Sequence, residues 1–225
     1  MYVKDYMTRN PKTITKDTPV SKALEIMQQG DFHRLPVVDD EGKLIGLITE
    51  GLVTESSGKN TTSLSIYELN YLLSRTKVKD IMITEVRSTS ADRLLEEAAA
   101  EMIESSVSVL PVVDENNHVE GIITERDMFR AFTEIMGYQD QGTKFIIQVE
   151  DRPGEMEEVS HLFAEQNANL DSLVVYHNEE RGTELVIKAT GEIEVEPMTK
   201  ILEDAKYVVT KIIQTTKEGK VIIWR

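Results

Sequence analysis

Cysteine is absent from the 225 residues. That excludes a disulfide framework, a thiolate nucleophile and a cysteine-ligated zinc site. Long apolar runs are absent as well, and none approaches the roughly 20 residues that a membrane-spanning helix needs. The opening MYVKDYMTRN lacks the apolar centre of a secretory signal, so the reading is a soluble, cytoplasmic protein of two or three compact units. Basic residues are scarce: 25 Lys and Arg stand against 40 Asp and Glu, a formal charge of −15. Such a surface repels a polyanion, which argues against DNA or RNA as a partner. A small anion held by a few local cations remains compatible, because short charge-assisted bonds outweigh a distant, screened field. No phosphate-binding G-x-x-x-x-G-K-[ST], no H-E-x-x-H and no G-x-S-x-G occurs, and His118, His161 and His177 lack metal-ligand spacing.

What the chain has is an internal repeat. With an offset of 75, Val3 meets Val78, Lys4-Asp5 meets Lys79-Asp80, Met7 meets Met82 and Asp17 meets Asp92. The register continues without a gap through Ala23 and Ala98, Met27 and Met102, LPVVD at 35–39 and 110–114, Gly46 and Gly121, and ITE at 48–50 and 123–125. Each copy reads as strand, helix, strand, strand, helix. In copy one, Thr18-Pro19 is read as a hydroxyl-capped helix start, Val20, Ala23, Leu24 and Met27 share one face, and Gly30 ends the helix. Copy two repeats the stripe at Leu95, Ala98, Ala99 and Met102. LPVVD and LIGLIT are short strands joined by Asp40-Glu41-Gly42-Lys43, with Glu115-Asn116-Asn117-His118 as the counterpart turn. A unit this small buries too little apolar surface alone, so the copies are expected to pack together. Between them SSGKNTTS is a polar loop, and Ile66, Leu69, Leu72 and Leu73 predict a helix leading into copy two.

With V-K-D-x-M, L-P-V-V-D and G-x-I-T-E each present twice, residues 1 to 137 resemble a tandem cystathionine-β-synthase (CBS) domain pair. The resemblance implies a non-catalytic ligand sensor for adenosine-containing molecules, with two related clefts between the copies. The family pattern G-x-x-[ST]-x-x-D matches G-I-I-T-E-R-D in copy two and gives Thr124 and Asp127 as contacts to the ligand's hydroxyls. A carboxylate can accept from both ribose hydroxyls. Copy one carries Leu52 at the acid's position, and leucine accepts nothing. In the family, residues just before L-P of one copy reach the phosphates of a nucleotide held by the other, which nominates His33 and Arg34; copy two has Ser108 and Val109 there. The acid of one copy and the cations of the other therefore complete a single cleft. Its adenine is expected near Ser88, Thr89 and Ile122, against Val109 and Pro111. Read as residues alone, Thr124-x-x-Asp127 is also a helix capping box, and His33-Arg34 also fits a solvated loop.

From residue 142 the pattern changes. KFIIQVE, an amphipathic helix through Met156, Val159, Leu162 and Phe163, LDSLVVYH, ELVIKAT, EPMTKILEDA and YVVTKII give the order βαββαβ, which is ferredoxin-like. D-R-P-G at 151–154 and N-A-N-L-D-S-L at 167–173 resemble an ACT domain, a regulatory module that often binds an amino acid between subunits. That nominates Asp151, Gly154 and Asn169, although a Pro-Gly turn also simply starts a helix. The whole combination resembles the acetoin-utilisation protein B type of bacterial protein.

The expected architecture is α/β of the α+β kind: CBS unit one at 1–62, connecting helix and CBS unit two at 63–137, a linker at 138–142, an ACT domain at 143–214, and a tail at 215–225 that can add a strand. The expected function is a homodimeric or higher homo-oligomeric regulator, with no required cofactor or metal. It binds AMP, ADP or ATP, with S-adenosylmethionine, NAD and cyclic di-AMP as alternatives, and passes occupancy to a regulated protein that the sequence does not identify. The rival readings are a nucleotide hydrolase using Asp127 or Glu125, and a scaffold without a small ligand.

Overall fold

The computed structural model describes residues 1–58, 66–138 and 140–225. The chain divides into two compact units, Met1–Phe129 and Arg130–Arg225.

The first unit holds both repeats. Copy one contains α1 (Val3–Tyr6), β1 (Thr8–Arg9), β2 (Ile14–Thr15), α2 (Val20–Gly30), β3 (Arg34–Val38), β4 (Leu44–Thr49) and α3 (Glu50–Gly58). The expected loop at 56–63 lies outside the described residues from 59 onward, as do the side chains of Ile66 and Leu69. α4 (Ile66–Arg75) follows, and its Leu73 packs on the copy-one core. Copy two has a 3₁₀ turn (Val78–Asp80), then α5 (Leu95–Glu104), β5 (Val109–Val113), β6 (Val119–Thr124) and α6 (Glu125–Ile135). Its first strand is reduced to one parallel bridge, Thr89 to Val112, which corresponds at the repeat offset to Ile14 beside Val37 on β2 and β3.

The copies are interlocked by their opening segments. β1 of copy one pairs with β6 of copy two, Thr8 opposite Ile122 and Arg9 opposite Gly121, while Ile83 of copy two bridges to Leu47 on β4. Val78 enters the core of copy one with Ile14, Val20, Ala23, Met27, Leu35, Val37, Ile48 and Val53. The exchange explains the repeated glycines: a Cβ on Gly121 would lie 2.5 Å from the Met7 sulfur, and one on Gly46 would lie 2.6 Å from that of Met82. It also pairs the repeated charges crosswise, Lys4 with Asp92 at 2.6 Å and Lys79 with Asp17 at 2.8 Å. Lys79 and Lys77 together hold the Asp17 carboxyl down to about 2.

One local reading is revised, the hydroxyl cap at Thr18, while the helix end at Gly30 stands. α2 begins after Pro19 with no side-chain cap; the first helical N–H, that of Val20, donates to the Thr76 carbonyl, and the Thr18 hydroxyl faces that of Thr15. Tertiary contact supplies what a local cap would have supplied. At the other end the left-handed residue is Asp31, φ 52°, whereas Gly30 is needed for room, since a Cβ there would strike the Phe32 ring. Both hairpin turns follow their sequence. Asp39 Oδ1 accepts from the N–H groups of Glu41 and Lys43, and Asp114 Oδ1 accepts from those of Asn116 and His118. Gly42 and Asn117 take the positive φ.

The second unit is a five-stranded antiparallel sheet, ordered β11-β10-β7-β9-β8, with two helices on one face. Its elements are β7 (Gly142–Val149), α7 (Glu155–Glu165), β8 (Asn169–Asn178), β9 (Gly182–Thr190), α8 (Val195–Asp204), β10 (Val208–Thr215) and β11 (Val221–Ile223), the last formed by the tail. Alternate residues of β7 and β9, Phe145, Ile147, Leu185 and Ile187, meet Val159 and Phe163 of α7 and Met198 and Leu202 of α8 in one core. Phe145 and Phe163 stack edge to face at 5.5 Å. Lys188 lies buried on the same sheet, its ammonium donating to the Asp140 carbonyl at 2.7 Å; desolvation, with Lys144 beside it, pushes its pKa down.

Candidate functional site

Sheet register brings most of the nominated CBS residues together. On β5 and β6, Val109 faces Thr124 and Pro111 faces Ile122. The segment holding Ser88 and Thr89 lies along the other edge of β5, with the Thr89 N–H donating to the Pro111 carbonyl at 2.9 Å. α6 begins directly after Thr124. Asp127, only 8% exposed, accepts at Oδ2 from the Thr124 N–H at 2.9 Å and from the Thr124 hydroxyl at 2.8 Å. The cap and the candidate ligand contact are thus one constellation, and the cap fixes the carboxylate at the start of α6.

From copy one, Arg34 crosses to copy two and donates from Nη2 to the Ser108 hydroxyl at 2.7 Å. Ser108 immediately precedes Val109, and its carbonyl accepts from the Glu125 N–H at the start of α6 at 3.2 Å. The guanidinium therefore lies within a residue of the α6 N-terminus, where the helix dipole already favours an anion. His33 is directed elsewhere: its Nδ1 lies 2.7 Å from Glu50 Oε2, and its side chain is 67% exposed.

The Thr89 side chain is not part of this cluster: paired in parallel with the fully buried Val112, it shares the core face of β5, opposite Val109 and Pro111. Thr89 is 5% exposed, and its hydroxyl has no hydrogen-bond partner. At the related position copy one has Ile14, 6% exposed. The fold therefore accepts an apolar side chain at this point, yet copy two keeps a hydroxyl whose burial without a partner costs about 1 to 3 kcal/mol. Applying the repeat offset to Ile14 would have exposed this asymmetry in the sequence. Ser108 as the anchor of Arg34 and Glu50 as the partner of His33 needed tertiary contact. At the position of copy one related to Asp127, the Leu52 backbone N–H donates to the Thr49 hydroxyl at 3.2 Å.

The ACT candidates are not brought together within one chain. Gly154, at φ +92°, is the N-cap of α7, and Asp151 lies 4.0 Å from His177 at the sheet end where Val149 faces Thr183. Asn169 faces Thr190 at the far end of β9 and donates to Asp171 at 2.6 Å. Seven residues of strand, about 23 Å, separate those ends. At the first of them a cleft of about 390 Å³ is lined by Arg152, Glu155, Glu158, Arg181, Lys206 and Tyr207. Burial, and then a hydrogen bond to Glu155, push the Tyr207 hydroxyl up to about 12. Arg152 is spoken for by the carboxylates of Glu150, Glu155 and Glu158. Among the described residues no cluster of three metal-ligating side chains occurs, and no helix is long and apolar enough to cross a membrane.

Comparison with known proteins agrees with this layout. The CBS domain model matches residues 3–55 and 78–134, and a model of the AHAS small subunit-like ACT domain matches 145–210. An L-aspartate semialdehyde sulfurtransferase of Methanocaldococcus jannaschii is 28% identical over 130 residues; the match covers 58% of this chain and 23% of that enzyme. The crystal structure of a candidate acetoin utilization protein (AcuB) from Vibrio cholerae is similar at 26% identity and a TM-score of 0.51, covering 62% of this chain and 96% of that one. The Arabidopsis thaliana CBS-pair protein CBSX2 in complex with AMP is similar at 28% identity and a TM-score of 0.51, covering 60% and 97%. The repeat, its crosswise exchange of opening segments and the two family matches lead to one assignment: the chain is a tandem CBS domain pair followed by an ACT-like domain.

Proposed function

We propose that the chain is a non-catalytic regulatory module that binds one adenosine-bearing ligand, in a cleft defined by Thr124 and Asp127 of copy two and Arg34 of copy one. The Arg34 to Ser108 hydrogen bond carries this reading: it fixes a cation of copy one beside the head of α6, where Thr124 and Asp127 of copy two stand. Asp127 and Thr124 suit the ribose, and the Val109 and Pro111 side of the cleft suits a base. Arg34 at the head of α6 suits a phosphate. AMP bound to CBSX2 supports the ligand class. The opposite cleft, with Leu52 in the related position, stays empty. Occupancy acts on a regulated protein only through different affinity for two arrangements of the module, with couplings of about 1 to 3 kcal/mol. An amino acid at Asp151, Gly154 and Asn169 would have to be shared between two chains, given their separation within one.

Calorimetric titration of the full chain with AMP, ADP, ATP, S-adenosylmethionine, NAD and cyclic di-AMP tests the reading, with Asp127→Asn and Leu52→Ala as the paired variants. One ligand per chain, lost in Asp127→Asn and kept in Leu52→Ala, is the expected result. Binding that survives Asp127→Asn but is lost in Leu52→Ala would assign the ligand to the wrong cleft. Turnover of a bound nucleotide with magnesium would make the chain an enzyme instead.

A further inference from the structure

We infer that the cleft selects a nucleoside monophosphate over the corresponding di- and triphosphates; this rests on the adenosine site proposed above. The inference comes from the charges around the phosphate end. Arg34 is the anchored cation there: half-buried, fixed to Ser108 and, among the described residues, ion-paired to no carboxylate. Its fork matches one phosphate group. The second cation of the motif, His33, is held by Glu50, whose own N–H donates to the His33 carbonyl at 3.0 Å. Arg126 is exposed and follows Glu125, so it points about 100° around the helix from the buried Asp127. Against these stand three carboxylates: Glu125 at the first position of α6, Glu50 at the related position of α3, and Asp127.

A first phosphate thus meets a guanidinium at the head of α6. A second and third extend past Glu125 and Glu50, and among the described residues no second cation is fixed to Ser108 beside Arg34. Arg34 lets a chain of formal charge −15 hold an anion, and the carboxylates beside it require that anion to be compact. An uncharged adenosine analogue forgoes the Arg34 contact altogether. The order of affinity is therefore monophosphate first, with triphosphate and nucleoside behind it by about tenfold or more, the factor a single charge-assisted contact commonly contributes.

The test is calorimetric titration of the full chain with adenosine, AMP, ADP and ATP in magnesium-free buffer, on wild type, Arg34→Gln and Glu125→Lys. Expected is AMP at least tenfold tighter than both ATP and adenosine. Arg34→Gln should bring AMP down to the level of adenosine. Glu125→Lys, an exposed substitution that leaves the core untouched, should improve ATP more than AMP. ATP binding as tightly as AMP, with both lost in Asp127→Asn, would overturn the selectivity and leave the adenosine site standing. Adenosine equal to AMP would overturn it too, because the phosphate would then gain nothing from Arg34. Failure of all four ligands to bind the wild type would remove the site and this inference together.

Discussion

Thr89→Val isolates one buried hydroxyl in the core of copy two, because the two side chains have nearly the same shape. In the apo protein the buried hydroxyl is unsatisfied, and such a group costs about 1 to 3 kcal/mol. Ile14 shows that a β-branched apolar side chain fits the related strand position. Replacing the hydroxyl by a methyl should therefore stabilise the ligand-free chain. At about 3 °C per kcal/mol for a chain of this length, the midpoint should rise by about 3 to 9 °C. The hydroxyl shares the core face of Val112 and not the Val109 and Pro111 face, so affinity for AMP should be unchanged. Scanning calorimetry reads the gain in stability, isothermal titration with AMP reads the affinity, and Thr89→Ser, which keeps the hydroxyl, should not be stabilised. A variant less stable than wild type, or one that loses AMP binding while still folded, would refute the placement of that hydroxyl in the core of copy two.

Gly121→Ala should destabilise by about 1 to 3 kcal/mol, since its Cβ would overlap the Met7 sulfur, with the Thr8 carbonyl 3.2 Å away. Denaturant titration of the double variant with Met7→Ala should show a cost below the sum of the singles; strict additivity would mean the two residues do not touch. Asp17 is depressed to about 2 by Lys79 and Lys77, so its contribution is complete above its ordinary value of 3.8 and is lost as the pH falls from there toward 2. Melting curves across that window should drop more gently for Asp17→Asn than for wild type, with no difference in slope between pH 6 and 8. Phe163→Ala removes one ring of the edge-to-face pair in the ACT-like core and should cost about 3 to 5 kcal/mol, read as loss of the second unit's unfolding transition with AMP binding retained.

The division of the candidate site between the copies was legible at the sequence level, because the repeat aligned Asp127 with Leu52 and Arg34 with Val109. Hairpin turns, helix faces and the βαββαβ order were legible as well, since each follows from local backbone preference and from periods of two or 3.6. Helix starts were less so. The sequence suggested a hydroxyl cap at Thr18, whereas the Thr76 carbonyl, far along the chain, satisfies the helix.

By itself the sequence determined that there are two copies of one unit and a third unit of another kind, because repetition and periodicity are properties of a line of residues. Only the tertiary structure decided that each copy's opening segment completes the other copy, setting Met7 on Gly121, Met82 on Gly46 and Lys79 against Asp17. It alone turned Arg34 toward Ser108 and His33 toward Glu50. Those choices depend on which distant surfaces exclude water together and which charges find partners there, and no local preference encodes them.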